Sequence, residues 1–180
     1  MDKFEFIAVL MSIIFGLAIT NLLSGMLRAF FLKELTDTRL AWSLAVGIIL
    51  LVNWWGFFLW SDNQQWHFIE FLYLVLWATT HYLLAVSLYP YDFMDSYTEE
   101  LRRKFMLWTM LTIILLDVGE AALGGELFNP WYYLVFMAFL LGLVVAPLVL
   151  AKPVVLRVCG WILFITVLSW SVVVRTLLVR

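Results

Sequence analysis

The sequence predicts an all-α polytopic membrane protein, a bundle of six transmembrane helices with no soluble domain, on three observations. Hydrophobic residues make up 65% of the 180 residues and charged residues 13%, with a mean hydropathy of +1.00. Soluble domains are only about 45–50% hydrophobic and about 25% charged, so a soluble core of this size could not bury the apolar surface. Six segments reach the length of about 20 apolar residues that crosses the hydrocarbon as a helix. The connections between them are too short for a soluble domain.

The predicted spans follow one another as a single transmembrane domain. They comprise residues 6–32, 41–60, 68–88, 105–123, 131–151 and 154–179. The first span ends at a polar segment that begins with Lys33, and Asp37 or Thr38 is expected to cap the second span. Residues 61–65 are polar and separate the second span from the third, which stops before Pro90.

The later spans also begin and end at residues typical of helix ends. Glu99 completes a capping box with Ser96, which predicts that a helix begins there and continues into the fourth span. Paired glycines that begin at Gly124 end this helix. Pro130 and Pro153 open the fifth and sixth spans, since proline is favoured at the first helical position.

Lys and Arg residues are distributed unequally between the two sides of the predicted bundle. Eight of the 11 lie at or beside the loops after the first, third and fifth spans: Arg28, Lys33, Arg39, Arg102, Arg103, Lys104, Lys152 and Arg157. The opposite side holds Lys3, Arg175 and Arg180. Because positive residues are enriched on the cytoplasmic side, these loops are predicted in the cytoplasm and both termini outside, in the plasma (inner) membrane.

Several classes of function do not fit the sequence. The net charge of -2 is not the basic footprint of a nucleic-acid-binding protein. Cys159 is the single cysteine, which allows neither an intrachain disulfide nor a zinc cluster. His67 and His81 lie about 21 Å apart along one predicted helix, at 1.5 Å per residue, so they cannot hold one haem within a monomer. Hydrolase, metalloprotease, P-loop and redox motifs are missing, so we expect no enzyme, no catalytic residue, no cofactor and no metal.

The first span carries a stripe of small residues at four-residue spacing: Ser12, Gly16, Thr20 and Ser24. Small residues at this spacing let helix backbones approach closely in lipid. We expect the stripe to serve helix packing within the chain. The alternatives are an interface between subunits and a face that lines a pore.

Carboxylates inside the predicted spans are the main functional clue. Asp117 and Glu120 lie three residues apart and therefore on one face of the fourth span. A central ionised carboxylate costs about 2.5–3.5 kcal/mol on insertion scales, so it needs a partner. Arg175 of the sixth span is the predicted partner, in a structural ion pair with Glu120 or Asp117. Glu70 adds a third acid in the outer half, so at least one carboxylate should be protonated, exposed to water or paired with a mobile cation.

Three uncharged or titratable residues complete the polar set. Asn53 falls loosely in the outer half with the carboxylates, whereas Asn21 and His81 fall in the inner half by the rise per residue. Histidine titrates near physiological pH and often relays protons. The structural alternative is a His81 side chain that is simply bonded to Asn21, to Tyr82 or to a backbone carbonyl.

These polar residues favour a small channel or transporter, a homo-oligomer in the lipid bilayer that moves protons or a small cation. Its predicted path consists of Glu70, Asn53, Asp117 and Glu120 in the outer half and Asn21 and His81 in the inner half. The alternative is a non-transporting membrane scaffold, assembly or sensor subunit, in which the same residues only join helices. An intramembrane enzyme acting on lipid is least favoured, because the acids and His81 are predicted roughly 10 Å or more apart.

Overall fold

The computed structural model describes residues 3–62, 66–89, 98–123 and 132–173, without the side chains of residues 59, 60, 62, 120 and 123. In this part of the chain 93% of the residues are helical and none lies in a strand, which confirms the all-α prediction. The helices are α1 (Lys3–Phe31), α2 (Asp37–Gly56), α3 (Phe68–Leu88), α4 (Glu99–Leu123), α5 (Tyr132–Leu150) and α6 (Pro153–Val173). A short 3₁₀ turn, Phe57–Asp62, follows α2.

Threonines one residue before the first helical position cap two of these helices. The Thr36 hydroxyl accepts a hydrogen bond from the Arg39 amide at 3.2 Å, so Thr36 caps α2 and not Asp37 or Thr38 as predicted. The reason is the extended backbone of Thr36, which brings its hydroxyl over the first free amides of the helix. The Thr98 hydroxyl likewise accepts from the Leu101 amide at 3.3 Å at the start of α4.

Left-handed residues end two helices at the same side of the bundle. Lys33 after α1 and Ala151 after α5 have φ of 59° and 51°. This conformation terminates a helix because the next amides turn back to the last free carbonyls, as the Glu34 amide does to Ala29 at 2.8 Å. Pro153 then opens α6, as predicted.

The helices α2, α6, α5, α4 and α3 form a closed circuit of neighbours in that order. The most extensive contacts join α2 to α6 and α1 to α3. Within the described residues α1 packs on α2, α3 and the 3₁₀ turn only, so it lies beside the circuit. Large apolar side chains such as Phe15, Trp42 and Leu84 fill the core between the helices.

The outside of the bundle is apolar. Five helices, α1, α2, α3, α5 and α6, are long and apolar enough to cross a membrane, and no more than 44% of their most apolar windows is buried. Phe31, Phe68 and Val149 are each more than 70% exposed. Apolar residues exposed on this scale need a lipid solvent, so the structure supports the prediction of membrane-spanning helices.

The first turns of α2, α4 and α6 meet at one end of the bundle, which we call the charged end. The first two turns of these three helices carry the charged residues Asp37, Arg39, Glu99, Glu100, Arg102, Arg103, Lys104 and Arg157. Arg39 of α2 bonds Glu99 of α4 at 3.1 Å, and Arg157 of α6 lies 3.7 Å from Asp37 of α2. Three of the predicted cytoplasmic segments therefore come together at one face of the fold.

Candidate functional site

A set of buried and half-buried polar side chains links α2, α3 and α4, and we call it the polar cluster: Asn53, Trp77, His81 and Asp117. His81 is 0% exposed at its centre. Its Nδ1 lies 2.7 Å from the Trp77 carbonyl oxygen, one turn earlier on α3, and its Nε2 lies 2.6 Å from Asn53 Nδ2. A bond to a backbone carbonyl was one of the alternatives that the sequence left open for this histidine.

These two bonds restrict which nitrogens of the imidazole can carry a hydrogen. A carbonyl oxygen only accepts, so Nδ1 must carry a hydrogen and donate to Trp77. With the Asn53 amide nitrogen as the donor, Nε2 accepts, which describes a neutral ring. If the Asn53 amide turned by 180°, its oxygen would instead accept from a protonated Nε2, so this amide can serve either state of the ring.

Asp117 receives a donor from the neighbouring helix. The Trp77 indole Nε1 donates to Asp117 Oδ1 at 2.8 Å, which ties α3 to α4. The Tyr133 hydroxyl donates to the Asp117 carbonyl oxygen at 3.1 Å and adds α5 to the same point. Tyr73 makes a parallel bond, also 3.1 Å, to the carbonyl oxygen of Leu116. The carboxylate therefore lies in a zone of interhelical hydrogen bonds.

Aromatic rings surround the imidazole. The Phe15 ring centroid on α1 lies 5.3 Å from that of His81 and 5.5 Å from that of Trp77. The Trp77 and His81 rings are 4.8 Å apart in an edge arrangement. Four helices thus contribute to the cluster, and the imidazole at its centre is fully buried.

The structure brings together two residues that the sequence placed at different depths. Asn53 was expected in the outer half and His81 in the inner half, but their direct bond puts both side chains at one level. The predicted difference in depth between these two side chains is therefore not observed, because they meet directly between α2 and α3.

Glu70 and Asn21 lie outside these bonds. Glu70 Oε2 accepts the His67 amide at 3.1 Å, so its carboxylate caps the start of α3. Asn21 was expected to find a partner for its amide. Its Oδ1 is buried and has no hydrogen-bond partner among the described residues, and His81 uses Asn53 and Trp77 in its place. The predicted path from Glu70 through Asp117 to Asn21 is therefore not assembled as one chain of contacts by the residues that the structure describes.

Two predicted site residues lie outside the described part of the chain. They are Arg175 and the side chain of Glu120. The ion pair between Arg175 and a carboxylate of α4 stays a prediction for this reason.

The small-residue stripe of α1 lies on the outside of the bundle. Ser12, Gly16, Thr20 and Ser24 are all exposed, and a Cβ atom added at Gly16 would meet nothing within 4 Å. In the part of the chain that the structure describes, Ser12 alone of these four has a polar neighbour on another helix, since the Trp54 indole nitrogen lies 3.4 Å from its hydroxyl. The stripe therefore leaves most of its surface open, and its use between subunits stays a prediction.

The charged end contains a pocket that the sequence did not indicate. It has a volume of about 100 Å³, and Arg39, Glu99, Arg102 and Arg103 line it together with the apolar Trp42 and Met106. We call it the arginine pocket. In the sequence these arginines indicated only the orientation of the chain in the membrane. Their spacing was the available signal, because Glu99, Arg102 and Arg103 fall within one turn of α4.

A neighbouring pair on α4 lies outside the pocket. Lys104 Nζ is 2.7 Å from Glu100 Oε1, and this hydrogen bond lowers the pKa of the Glu100 carboxyl. Both side chains are about half exposed or more, so this surface ion pair contributes little to the stability of the protein.

Comparisons of the chain with models of protein families, with curated proteins and with solved structures give no match. Among the residues that the structure describes, no three His, Cys, Asp or Glu side chains are placed to hold a metal ion. Function is therefore argued from the polar cluster and the arginine pocket themselves.

Proposed function

We propose that the protein is a non-transporting membrane subunit, a scaffold or sensor, whose buried polar residues join the helices and whose contacts with other molecules form at the charged end. The observation that carries this proposal is the pairing inside the polar cluster. Asn53 bonds His81 across α2 and α3, and Trp77 bonds Asp117 across α3 and α4. Polar side chains paired across helices hold a bundle together in lipid, where each bond contributes about 0.6–2 kcal/mol.

The same geometry argues against a proton path through the cluster. The Trp77 indole only donates and its backbone carbonyl only accepts, so neither group can pass a proton between Asp117 and His81. The packed aromatic rings around His81 leave its side chain 0% exposed. A relay would require groups that both accept and donate, or water, between the two titratable side chains.

The proposal includes a sixth membrane span. At 25 residues α4 has a length of about 37 Å, which exceeds the roughly 30 Å hydrocarbon thickness. It packs between α3 and α5, both of which are apolar enough to span. The bonds of Asp117 to Trp77 lower the cost of placing its carboxyl group in the bundle. We propose that the charged end faces the cytoplasm, with both termini outside in the plasma membrane.

A second candidate function is the passage of protons or a small cation. The Asn53 amide favours it, because this side chain can bond either protonation state of His81 by turning over. A half-buried acid at Asp117 would be the titrating or cation-binding group. This function requires a wet opening of the bundle next to the cluster.

Flux and stability measurements on purified protein separate the two functions. In liposomes that contain the wild-type protein, the flux of protons, Na⁺ and K⁺ should be no faster than in protein-free liposomes. Asp117→Asn should leave these fluxes unchanged. Trp77→Phe should lower the free energy of unfolding by about 1–3 kcal/mol, because the hydrogen bond from the Trp77 indole to Asp117 is lost. Adding Asp117→Leu to Trp77→Phe should recover much of this loss, since removing both partners is nearly neutral.

The chain offers a matched control for the tryptophan change. Trp108 is 58% exposed on α4, so Trp108→Phe should change the unfolding free energy by less than about 0.5 kcal/mol. Wild-type flux that Asp117→Asn abolishes without a loss of folded protein would overturn the scaffold proposal and establish the channel.

A further inference from the structure

The arginine pocket carries more positive charge than its own acid can balance. Glu99 lies 3.1 Å from Arg39 and 3.5 Å from Arg102, so a single carboxylate serves two guanidinium groups. Arg103 is the third arginine of the lining. The described lining residues therefore have three positive charges against one negative charge.

Arg103 differs from the neighbouring cations Lys104 and Arg157. Lys104 has the Glu100 carboxylate at 2.7 Å and Arg157 has Asp37 at 3.7 Å. Arg103 has no described carboxylate within salt-bridge distance, and its Nε is shielded from solvent without a hydrogen-bond partner. Buried polar groups almost always find a partner, so an Arg103 Nε that has none among the described residues, beside an open pocket, indicates a missing anion.

The amino-terminal ends of three helices add to the positive charge of the pocket. The pocket lies at the first turns of α2 and α4, and Leu156 of the first turn of α6 completes its wall. The amino-terminal ends of helices carry partial positive charge and bind anions. Three such ends converge on the arginines, which by themselves already provide the charge and the donors.

The shape and the lining of the pocket favour a phosphate group that is attached to a lipid. Guanidinium groups match phosphate oxygens with paired hydrogen bonds. A volume of about 100 Å³ is several times the ~10–15 Å³ that one water molecule needs on this measure, so a phosphate group fits. Trp42, Met106 and Leu88 give the pocket apolar walls, which suit the glycerol and the first methylenes of a lipid. Basic pockets between helices at a membrane surface are known to hold acidic headgroups.

We propose that the arginine pocket binds the phosphate headgroup of an anionic membrane lipid, with Arg103 and Arg102 as its main donors. This inference rests on the part of the proposed function that places the charged end at the membrane surface. It does not depend on whether the bundle transports ions. The pocket gives the scaffold a way to sense or to require acidic lipid in the cytoplasmic leaflet.

Binding to the delipidated full-length protein in detergent tests the proposal. The protein is titrated with short-chain phosphatidic acid, phosphatidylglycerol or phosphatidylcholine, and binding is followed by native mass spectrometry. At least one of the two acidic lipids should bind at least about tenfold more tightly than phosphatidylcholine. Inorganic phosphate and glycerol 3-phosphate are the probes for a free anion, and each should bind at least about tenfold more weakly than phosphatidic acid. Equal affinity for the acidic and the zwitterionic lipid, or free phosphate binding as tightly as phosphatidic acid, would overturn the lipid assignment.

Charge-neutral variants locate the site. Arg103→Gln should weaken phosphatidic acid binding by about tenfold or more, the loss expected when charge-assisted hydrogen bonds are removed. Lys104→Gln is the matched control, because it removes the same charge from the next residue of α4 but outside the pocket, and it should change the affinity less than about twofold. Equal losses in the two variants would show general surface attraction and contradict a built site.

A second variant keeps the test valid if Arg103→Gln folds poorly. Arg103→Lys retains the charge but loses the planar fork, so binding should fall between wild type and Arg103→Gln. The thermal midpoint without lipid reports folding for each variant. Wild-type affinity in Arg103→Lys and Arg103→Gln, with both proteins folded, would exclude Arg103 and overturn the proposal. If the protein showed neither a lipid preference nor ion flux, the lipid-binding proposal would be overturned and the scaffold proposal would not. The two proposals can therefore fail independently.

Discussion

At the scale of single residues, the bond between Asn53 and His81 shows how a polar side chain is accommodated inside an apolar bundle. Each ring nitrogen of His81 has one partner, at 2.6 and 2.7 Å, and the ring is 0% exposed. A buried polar group that loses its partner costs about 1–3 kcal/mol, whereas loss of both partners is nearly neutral. Asn53→Leu should therefore lower the free energy of unfolding by about 1–3 kcal/mol, measured in mixed micelles.

The double variant makes this prediction specific. Asn53→Leu with His81→Phe should recover at least about half of the loss, because no unmatched nitrogen remains between α2 and α3. Thr79→Val is a control on the same helix, since the Thr79 hydroxyl is exposed and bonds only the Val75 carbonyl one turn earlier. A double variant less stable than the sum of the single changes would show that the two residues do not act as a pair.

Much of this arrangement of side chains could not be predicted from the sequence. The sequence identified His81, Asn53 and Asp117 as buried polar residues, because such residues stand out in apolar spans. It did not give Trp77 as the donor to Asp117. Tryptophan in a span is expected to pack, and the pairing depends on which faces of α3 and α4 meet, a property that a single sequence does not encode locally.

At the scale of helices, glycine determines how closely α2 approaches α6. The Trp42 indole donates to the Leu156 carbonyl oxygen at 2.9 Å, and Gly160 lies one turn further along α6. A Cβ atom at Gly160 would come within 2.8 Å of Trp42 Nε1. Gly160→Ala should destabilise the protein by about 1–3 kcal/mol through overpacking, measured as the free energy of unfolding in detergent.

The same substitution elsewhere provides the control. A Cβ atom at Gly142 of α5 would meet nothing within 4 Å, so Gly142→Ala should be neutral or stabilise the helix by about 0.5–1 kcal/mol. If the two alanine variants unfold alike, the contact of Trp42 with α6 does not limit the approach of these helices.

The helices themselves follow from local signals. The observed α3 coincides with the predicted residues 68–88, because an apolar run is bounded on both sides by polar residues or proline. Helix starts were predicted to within a few residues, and the cap at Thr36 in place of Asp37 is an error of one residue. Apart from the link between the fourth and sixth spans that the Arg175 ion pair implies, the neighbour relations among helices were not predicted. Apolar helix faces in lipid do not differ in hydrophobicity, so packing is decided by small residues and polar pairs.

At the scale of the whole molecule, charged residues of three helices gather at one end of the bundle. The charged end brings together arginines of α2, α4 and α6. At the other end, the Phe4 ring stacks on Phe57 of the 3₁₀ turn with ring centroids 5.3 Å apart. An excess of Lys and Arg marks the cytoplasmic face of a membrane protein, so the charged end should lie inside the cell.

Single cysteines at the two ends test this orientation in a Cys159→Ser background. Glu34 and Ser61 are both exposed, Glu34 after α1 at the charged end and Ser61 in the 3₁₀ turn at the other end. An impermeant maleimide added to intact cells should label Ser61→Cys and leave Glu34→Cys unlabelled until the membrane is opened. The Cys159→Ser protein without an added cysteine is the control and should stay unlabelled. Labelling of Glu34→Cys alone would place the arginine pocket in the outer leaflet, because the positions of Arg39, Arg102 and Arg103 in the fold tie the pocket to the end that carries Glu34.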